Sequence, residues 1–198
     1  MKKEVCFLVN SKVDRRVKYT RMVLKESLMK LLNEKPINTI TVKELCALAD
    51  VNRSTFYSHY TDQSDLLSKI EEEIIHDMND TLMSYNVTQN EDALVMIEKI
   101  VEYIAANSDS CRILLSENGD PSFRNRLMMI AHDYTMKTSM NQNMMIDEEM
   151  TEYASWFAVS GSIHVLESWL KNGMNKSPKQ MAEMINHLIN KGLASFKA

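Results

Sequence analysis

Apolar residues recur along this chain at helical intervals almost from end to end. Between Val17 and Asn33, Leu24, Leu28, Leu31 and Leu32 follow an i, i+4, i+7, i+8 spacing, which predicts an amphipathic helix. Lys18, Arg21, Lys25 and Lys30 fall mostly off that stripe, and Pro36 stops its propagation. Thr41-Val42-Lys43-Glu44 has the form of a capping box, Thr41 serving the amide of Glu44 and Glu44 reaching back. A second helix therefore starts at Val42 and runs through Leu45 and Leu48. Ala49-Asp50-Val51-Asn52 reads as a corner, because Asp50 enters the left-handed region more cheaply than most residues and Asn52 is a good N-cap. The next helix, Arg53 to His59, has only two turns. Asp62 caps a fourth, from Gln63 into the mid-80s, with Leu66, Leu67, Ile70 and Ile74 on its apolar face. Further helical segments are expected near 90–107, 109–117, 121–140, 147–172 and 178–195. Asn172-Gly173 reads as a C-cap, and Ser177-Pro178-Lys179-Gln180 as a second capping box with Pro at the first helical position.

Composition narrows the class. Gly (4) and Pro (3) are scarce and no β-branched alternation interrupts the periodicity, so the expected fold is all-α with about nine helices. No apolar run approaches the ~18 residues of a membrane span. The apolar patch in MKKEVCFLVN is short against a secretory signal, which predicts a flexible tail over residues 1–13 and a cytoplasmic chain. Cys6, Cys46 and Cys111 share no motif with one another or with His, which supports neither a disulfide framework nor a zinc site. No metal or other cofactor is expected.

Charge divides the chain. Residues 1–60 hold 12 Lys and Arg against 6 Asp and Glu, whereas residues 61–198 hold 11 against 21. A basic N-terminal part on an acidic body suits local attraction to a polyanion.

The two short helices fit that attraction. Ala49 lets them cross closely, Val51 fills the turn, and Phe56 anchors the second helix while its other face stays outward. A helix about 10–12 Å across matches a major groove about 12 Å wide, so an exposed two-turn helix can read base edges. The segments Lys18-Tyr19-Thr20-Arg21 and ITVKELCALADVNRSTFYSHYTDQSDLL (40–67) resemble the N-terminal domain of the TetR family of transcriptional regulators. GSIHVLESWLKNGMNKSP (161–178) is similar to the C-terminal domain of a subgroup that includes dihydroxyacetone-kinase regulators.

The resemblance implies a helix-turn-helix DNA-binding domain over residues 14–62 and a helical effector-binding and dimerisation domain over 63–198. It places base recognition on Arg53, Ser54, Thr55, Tyr57 and His59, and phosphate contacts on Tyr19, Arg21, Thr41 and Lys43. Tyr60 would brace the junction with the fourth helix. Two positions depart from the family pattern: Asp50 stands where Gly is common, and Gln63 where Lys is common.

A single helix-turn-helix covers little DNA, so such proteins pair on palindromic half-sites about 34–36 Å apart. The last two long helices are the candidates for a homodimer interface. Ala154, Ala158 and Gly161 form a small-residue stripe with Phe157, Val165 and Trp169 as nearby bulk, and Met181, Met184, Ile185, Leu188 and Ile189 form a matching stripe. Thirteen of 16 methionines follow residue 61, with Met128, Met129, Met136, Met140, Met144 and Met145 close together. Met suits surfaces that repack around ligands, and it is equally an ordinary core filler. The resemblance implies an effector cavity, small-molecule or protein in occupant, with Tyr103, Met128, His132, Tyr134, Met136, Trp156 and His164 as candidate wall residues.

The expected function is therefore a homodimeric regulator, acting as a repressor on double-stranded DNA with a palindromic operator. The alternative is a TetR-like interaction protein or coregulator that answers to a protein partner and has weak or lost DNA binding, to which Gln63 points. Enzyme activity is not expected. Glu73-Ile74-Ile75-His76 supplies one Glu-x-x-His element where a di-iron bundle needs two and further Glu, and Ser160-Gly161-Ser162 lacks the flanks of a nucleophile elbow.

Overall fold

The computed structural model describes residues 2–84, 90–141 and 148–194. Among these residues the chain is helical without strands: α1 (Lys2–Leu32), α2 (Val42–Ala49), α3 (Arg53–Tyr57), α4 (Gln63–Ser84), α5 (Asn90–Ala106), α6 (Ser108–Leu114), α7 (Pro121–Asn141), α8 (Glu148–Lys171) and α9 (Pro178–Ala194). A single 3-10 turn, Ile37–Thr39, leads into α2.

The ends of these helices follow from local chemistry. Thr41 Oγ1 accepts from the Glu44 amide at 3.2 Å, as a capping box requires. The Glu44 carboxylate takes Lys35 Nζ at 2.6 Å and also a hydrogen bond from the Thr41 backbone, and these partners hold its pKa below the usual carboxylate range. Asp50 sits in the left-handed region at φ 52°, and the Val51 amide returns to the Cys46 carbonyl at 3.0 Å, which closes α2. Asn52 begins α3 without a side-chain cap bond, contrary to the capping role expected of it. Asp62 does cap α4, accepting from the Asp65 amide at 2.8 Å while Asp65 accepts from the Thr61 amide at 2.9 Å. The second capping box forms in both directions: Ser177 Oγ accepts from the Gln180 amide at 3.2 Å, and the Ser177 amide donates to Gln180 Oε1 at 3.0 Å.

Two boundaries differ from expectation. α1 starts at Lys2, so the stretch expected as a tail continues the helix; the first proline is Pro36 and the first glycine Gly119, and nothing upstream stops propagation. α3 ends at Tyr57 rather than His59. Past it the backbone tightens: Ser58 Oγ donates to the Thr55 carbonyl at 2.6 Å and the His59 amide to the Phe56 carbonyl at 2.9 Å.

The chain forms two compact units. The first comprises Met1–Glu72 with Glu117–Gly119, and the second Glu73–Ser116 with Asp120–Ala198. The division runs through α4, whereas the expected functional boundary at Asp62 lies ahead of that helix. In the first unit α1 packs on α2 and α2 on α3. Leu24, Leu28, Leu32, Ile40, Leu45, Phe56, Leu66 and Ile70 are all but inaccessible there, each worth roughly 1.5–3 kcal/mol of transfer free energy. The short segment Glu117–Gly119 belongs to this unit through the Asn118 carbonyl, which accepts from the Ile37 amide at 3.3 Å.

In the second unit α5 packs along α9 and α7 along α8. Val101, Ile104, Leu166, Trp169, Leu170, Met181 and Ile185 form its core. The α8 terminus is fixed by Gly173 at φ 71°. Its amide reaches the Leu170 carbonyl at 3.2 Å, and the Met174 amide reaches that of Trp169 at 2.9 Å, a Schellman motif. Trp169 Nε1 donates to the Lys176 carbonyl at 3.0 Å, so the buried indole keeps its hydrogen bond. The buried Glu167 pairs with Arg124 of α7.

Candidate nucleic-acid interface and ligand cavity

α3 has one inward and one outward face. Phe56 is fully buried, and its ring meets Tyr60 at 5.7 Å and the edge of Tyr57 at 5.5 Å. That anchor leaves Arg53 and Ser54 exposed and Tyr57 57% accessible, while Thr55 is half-buried. Tyr60 is buried and stacks at a tilt on the half-buried His59, at 6.2 Å. Thr41 and Lys43 at the start of α2 are exposed, as are Arg21 and Tyr19 on α1, the latter at 63%. All nine residues expected to touch DNA thus lie in the first unit, seven of them exposed and Thr55 and His59 partly covered. The arrangement offers three cations, Arg21, Lys43 and Arg53, and several hydroxyls to a run of phosphates, with Arg53 at the N-terminal end of the outward helix.

The second unit contains a partly open cavity of about 310 Å³. Its wall is mostly apolar, including Ile74, Met96, Ile100, Phe123, Leu166 and Ile185, and among the described wall residues none is Asp, Glu, Lys, Arg or His. Burial pushes the Cys111 thiol on that wall up to about 11, so it too is uncharged at neutral pH. Of the expected wall residues, Tyr134 lines the cavity.

The structure places the others elsewhere. Tyr103 turns its hydroxyl to Asp77 Oδ2 at 2.9 Å, and burial together with that carboxylate pushes its pKa up. His132 stacks on Trp156, ring centroids 4.0 Å apart, and its Nε2 is buried without a hydrogen bond. His164 is exposed on α8, with Arg124 at 3.3 Å and the Ser160 carbonyl at 2.8 Å. Met128 and Met136 are half-buried away from the cavity wall. Met144 and Met145, and the side chain of Met140, lie outside the described residues.

The stripes expected to pair two chains are also redistributed. Ala154, Ala158 and Ile185 line the cavity, while Trp169 and Met181 are core and Val165 and Met184 pack against it. The two alanines of that α8 stripe face their own neighbours because the apolar interior lies on that side, whereas Gly161 does not. What α8 turns outward is Tyr153 (64% accessible), Phe157 (81%), Gly161 and His164, a run at i, i+4, i+8, i+11. α9 adds Leu188, 60% accessible. A Cβ at Gly161 would meet nothing within 4 Å, so the chain's own packing does not demand glycine there. Tyr153 was legible only as part of that run, which the alanines beside it obscured.

Elsewhere, Glu73 and His76 are both exposed on α4, and His76 pairs with Asp80 at 3.3 Å. No helix among the described residues is long and apolar enough to cross a membrane.

A family model describing the transcriptional regulator C-terminal region, TetR_C_8, matches residues 91–191, half of the chain. The chain belongs to the TetR family of transcriptional regulators. Solved TetR-family structures share the fold. A TetR transcriptional regulator from Streptococcus agalactiae 2603V is 23% identical, with 91% of this chain and 98% of that one covered at a TM-score of 0.64. DhaS, a dihydroxyacetone kinase operon activator, is 15% identical over 90% and 98% at 0.61. NalD of Pseudomonas aeruginosa, the secondary repressor of the MexAB-OprM multidrug efflux pump, is 15% identical over 90% and 97% at 0.64. No curated protein matches the chain. These relatives are regulators rather than enzymes, and this TetR-family chain carries the same all-α architecture.

Proposed function

We propose that this TetR-family protein binds a palindromic operator as a homodimer and acts as a repressor whose DNA affinity is set by an effector in the second unit. The observation that carries the reading is the outward ridge of α3, Arg53, Ser54 and Tyr57, held by the wholly buried Phe56. Basic charge in residues 1–60 supports it by drawing the ridge toward phosphate. Two ridges would enter successive major grooves, and phosphate contacts from Tyr19, Arg21, Thr41 and Lys43 would hold register while α3 specifies sequence. Repression is the simpler sign, since a dimer seated on a promoter blocks it without a further surface for polymerase.

Homodimerisation is supported by the exposed run Tyr153, Phe157 and Gly161 on α8 with Leu188 on α9, an apolar face that its own chain leaves open. An effector that fits the cavity in only one of two conformations shifts the population between them, and operator affinity with it.

A gel shift against the gene's own upstream region at moderate salt tests the reading: sequence-specific retardation is expected, and purely nonspecific binding sinks it. Arg53→Ala is expected to weaken operator binding by about 1–3 kcal/mol and to relax sequence preference at its contacted position. Unchanged affinity would remove Arg53 from the base-reading set. Lys43→Ala should weaken all DNA alike and lower the slope of log affinity against log salt by about one; a slope equal to that of the parent chain would take Lys43 off the phosphates.

A further inference from the structure

One residue of the cavity wall carries a hydroxyl that the fold leaves without a partner. Ser155 on α8 is 3% accessible, and its Oγ makes no hydrogen bond. Two other hydroxyls on the wall are consumed by their own helices: Thr135 Oγ1 donates to the Ala131 carbonyl at 2.8 Å, and Ser162 Oγ to that of Ala158 at 2.7 Å. Asn190 Nδ2 is likewise taken by Asn186 Oδ1 at 2.9 Å. Leaving a buried hydroxyl unmet is unfavourable, so a group that arrives with a matching hydrogen bond gains more there than on the surrounding hydrocarbon.

The rest of the wall limits what can arrive. Without a charged side chain among the described wall residues, a carboxylate or ammonium would be stripped of water and left uncompensated. The volume, about 310 Å³, is roughly twice the 150 Å³ void that accepts benzene, which suits a ligand of about a dozen non-hydrogen atoms.

We propose that the cavity binds an uncharged, largely hydrocarbon small molecule bearing a hydroxyl or carbonyl group, and that Ser155 Oγ makes the hydrogen bond that orients it. This rests on the second unit being the effector domain, and it names the chemistry of the effector.

Calorimetric titration of the full-length protein with 2-naphthol, naphthalene and 2-naphthoate separates the contributions. 2-Naphthol, neutral at pH 7, is expected to bind, and 2-naphthoate to bind at least about 100-fold more weakly because its charge is buried unpaired. Ser155→Ala should weaken 2-naphthol roughly three- to tenfold and leave naphthalene within about twofold. Ala158→Phe fills the cavity from the same helix and should abolish binding of both at unchanged helicity. The proposal is overturned if 2-naphthoate binds as tightly as 2-naphthol, if Ser155→Ala leaves 2-naphthol unchanged, or if Ala158→Phe still binds the probes. Absence of binding by all three probes with sequence-specific DNA retardation intact also overturns it, and the regulator reading survives. The expected ligand pattern without specific retardation does the reverse.

Discussion

A Phe157→Glu chain is expected to sediment as a monomer of 22.9 kDa, and the parent is expected at twice that mass. Phe157 is 81% accessible, so its own chain loses almost no packing when the ring is replaced, and helicity and unfolding midpoint should stay those of the parent. In a symmetric pair the same patch is used by both protomers, and each dimer would bury two uncompensated carboxylates beside Gly161 and Tyr153. Breaking such an interface costs on the order of 3–5 kcal/mol per buried unpaired charge, enough to move dissociation from below to well above working concentrations. Operator binding should collapse with it, because one ridge alone contacts a single half-site. A variant that remains dimeric in analytical ultracentrifugation would clear the α8 face of this role and send the search for the interface elsewhere.

Phe56→Ala is expected to reduce the stability of the first unit by about 3–5 kcal/mol, read as a shift of the urea transition of the full chain. The ring is fully buried and touches Tyr57 and Tyr60, so its removal leaves a void at the crossing of the short helices and frees the ridge they hold. DNA binding should fail even under conditions where the second unit retains its helicity and its ligand response. A loss below about 1 kcal/mol would mean that the neighbours collapse into the void and that the ridge does not depend on this anchor.

The two results probe different kinds of surface, and the sequence speaks unequally of them. The corner at Asp50, the caps at Thr41 and Asp62, and the Ser177–Gln180 box are local: each is settled by residues three or four apart, whose chemistry is the same wherever the helix sits. The inward anchor Phe56 and outward Arg53 and Tyr57 are nearly as local, since a two-turn helix has only one apolar side to bury. The start of α1 differs from the expected tail for a related reason. A short apolar patch between charges looks like a tail, but without a breaker the helix simply continues to Lys2.

The acidic body is where periodicity stops deciding. Helix α8 is apolar on more than one side and α9 carries one broad apolar stripe, and spacing alone cannot say which part meets the chain's own core, which lines a void and which is left open. Ala154 and Ala158 face the cavity, Trp169 and Met181 the core, and Phe157 the exterior, though all carry helical spacing. Tyr103 and His132 likewise look like ligand-facing residues until Asp77 and Trp156 take up their polar and aromatic faces. The all-α architecture, the corner, every cap but that at Asn52 and the outward ridge of α3 follow from the sequence alone, because hydrogen bonds and burial within a few residues settle them. Only the tertiary structure decided which stripe lines the cavity, which side chains are consumed by partners and which apolar face stays open, because those depend on helices brought together from distant parts of the chain.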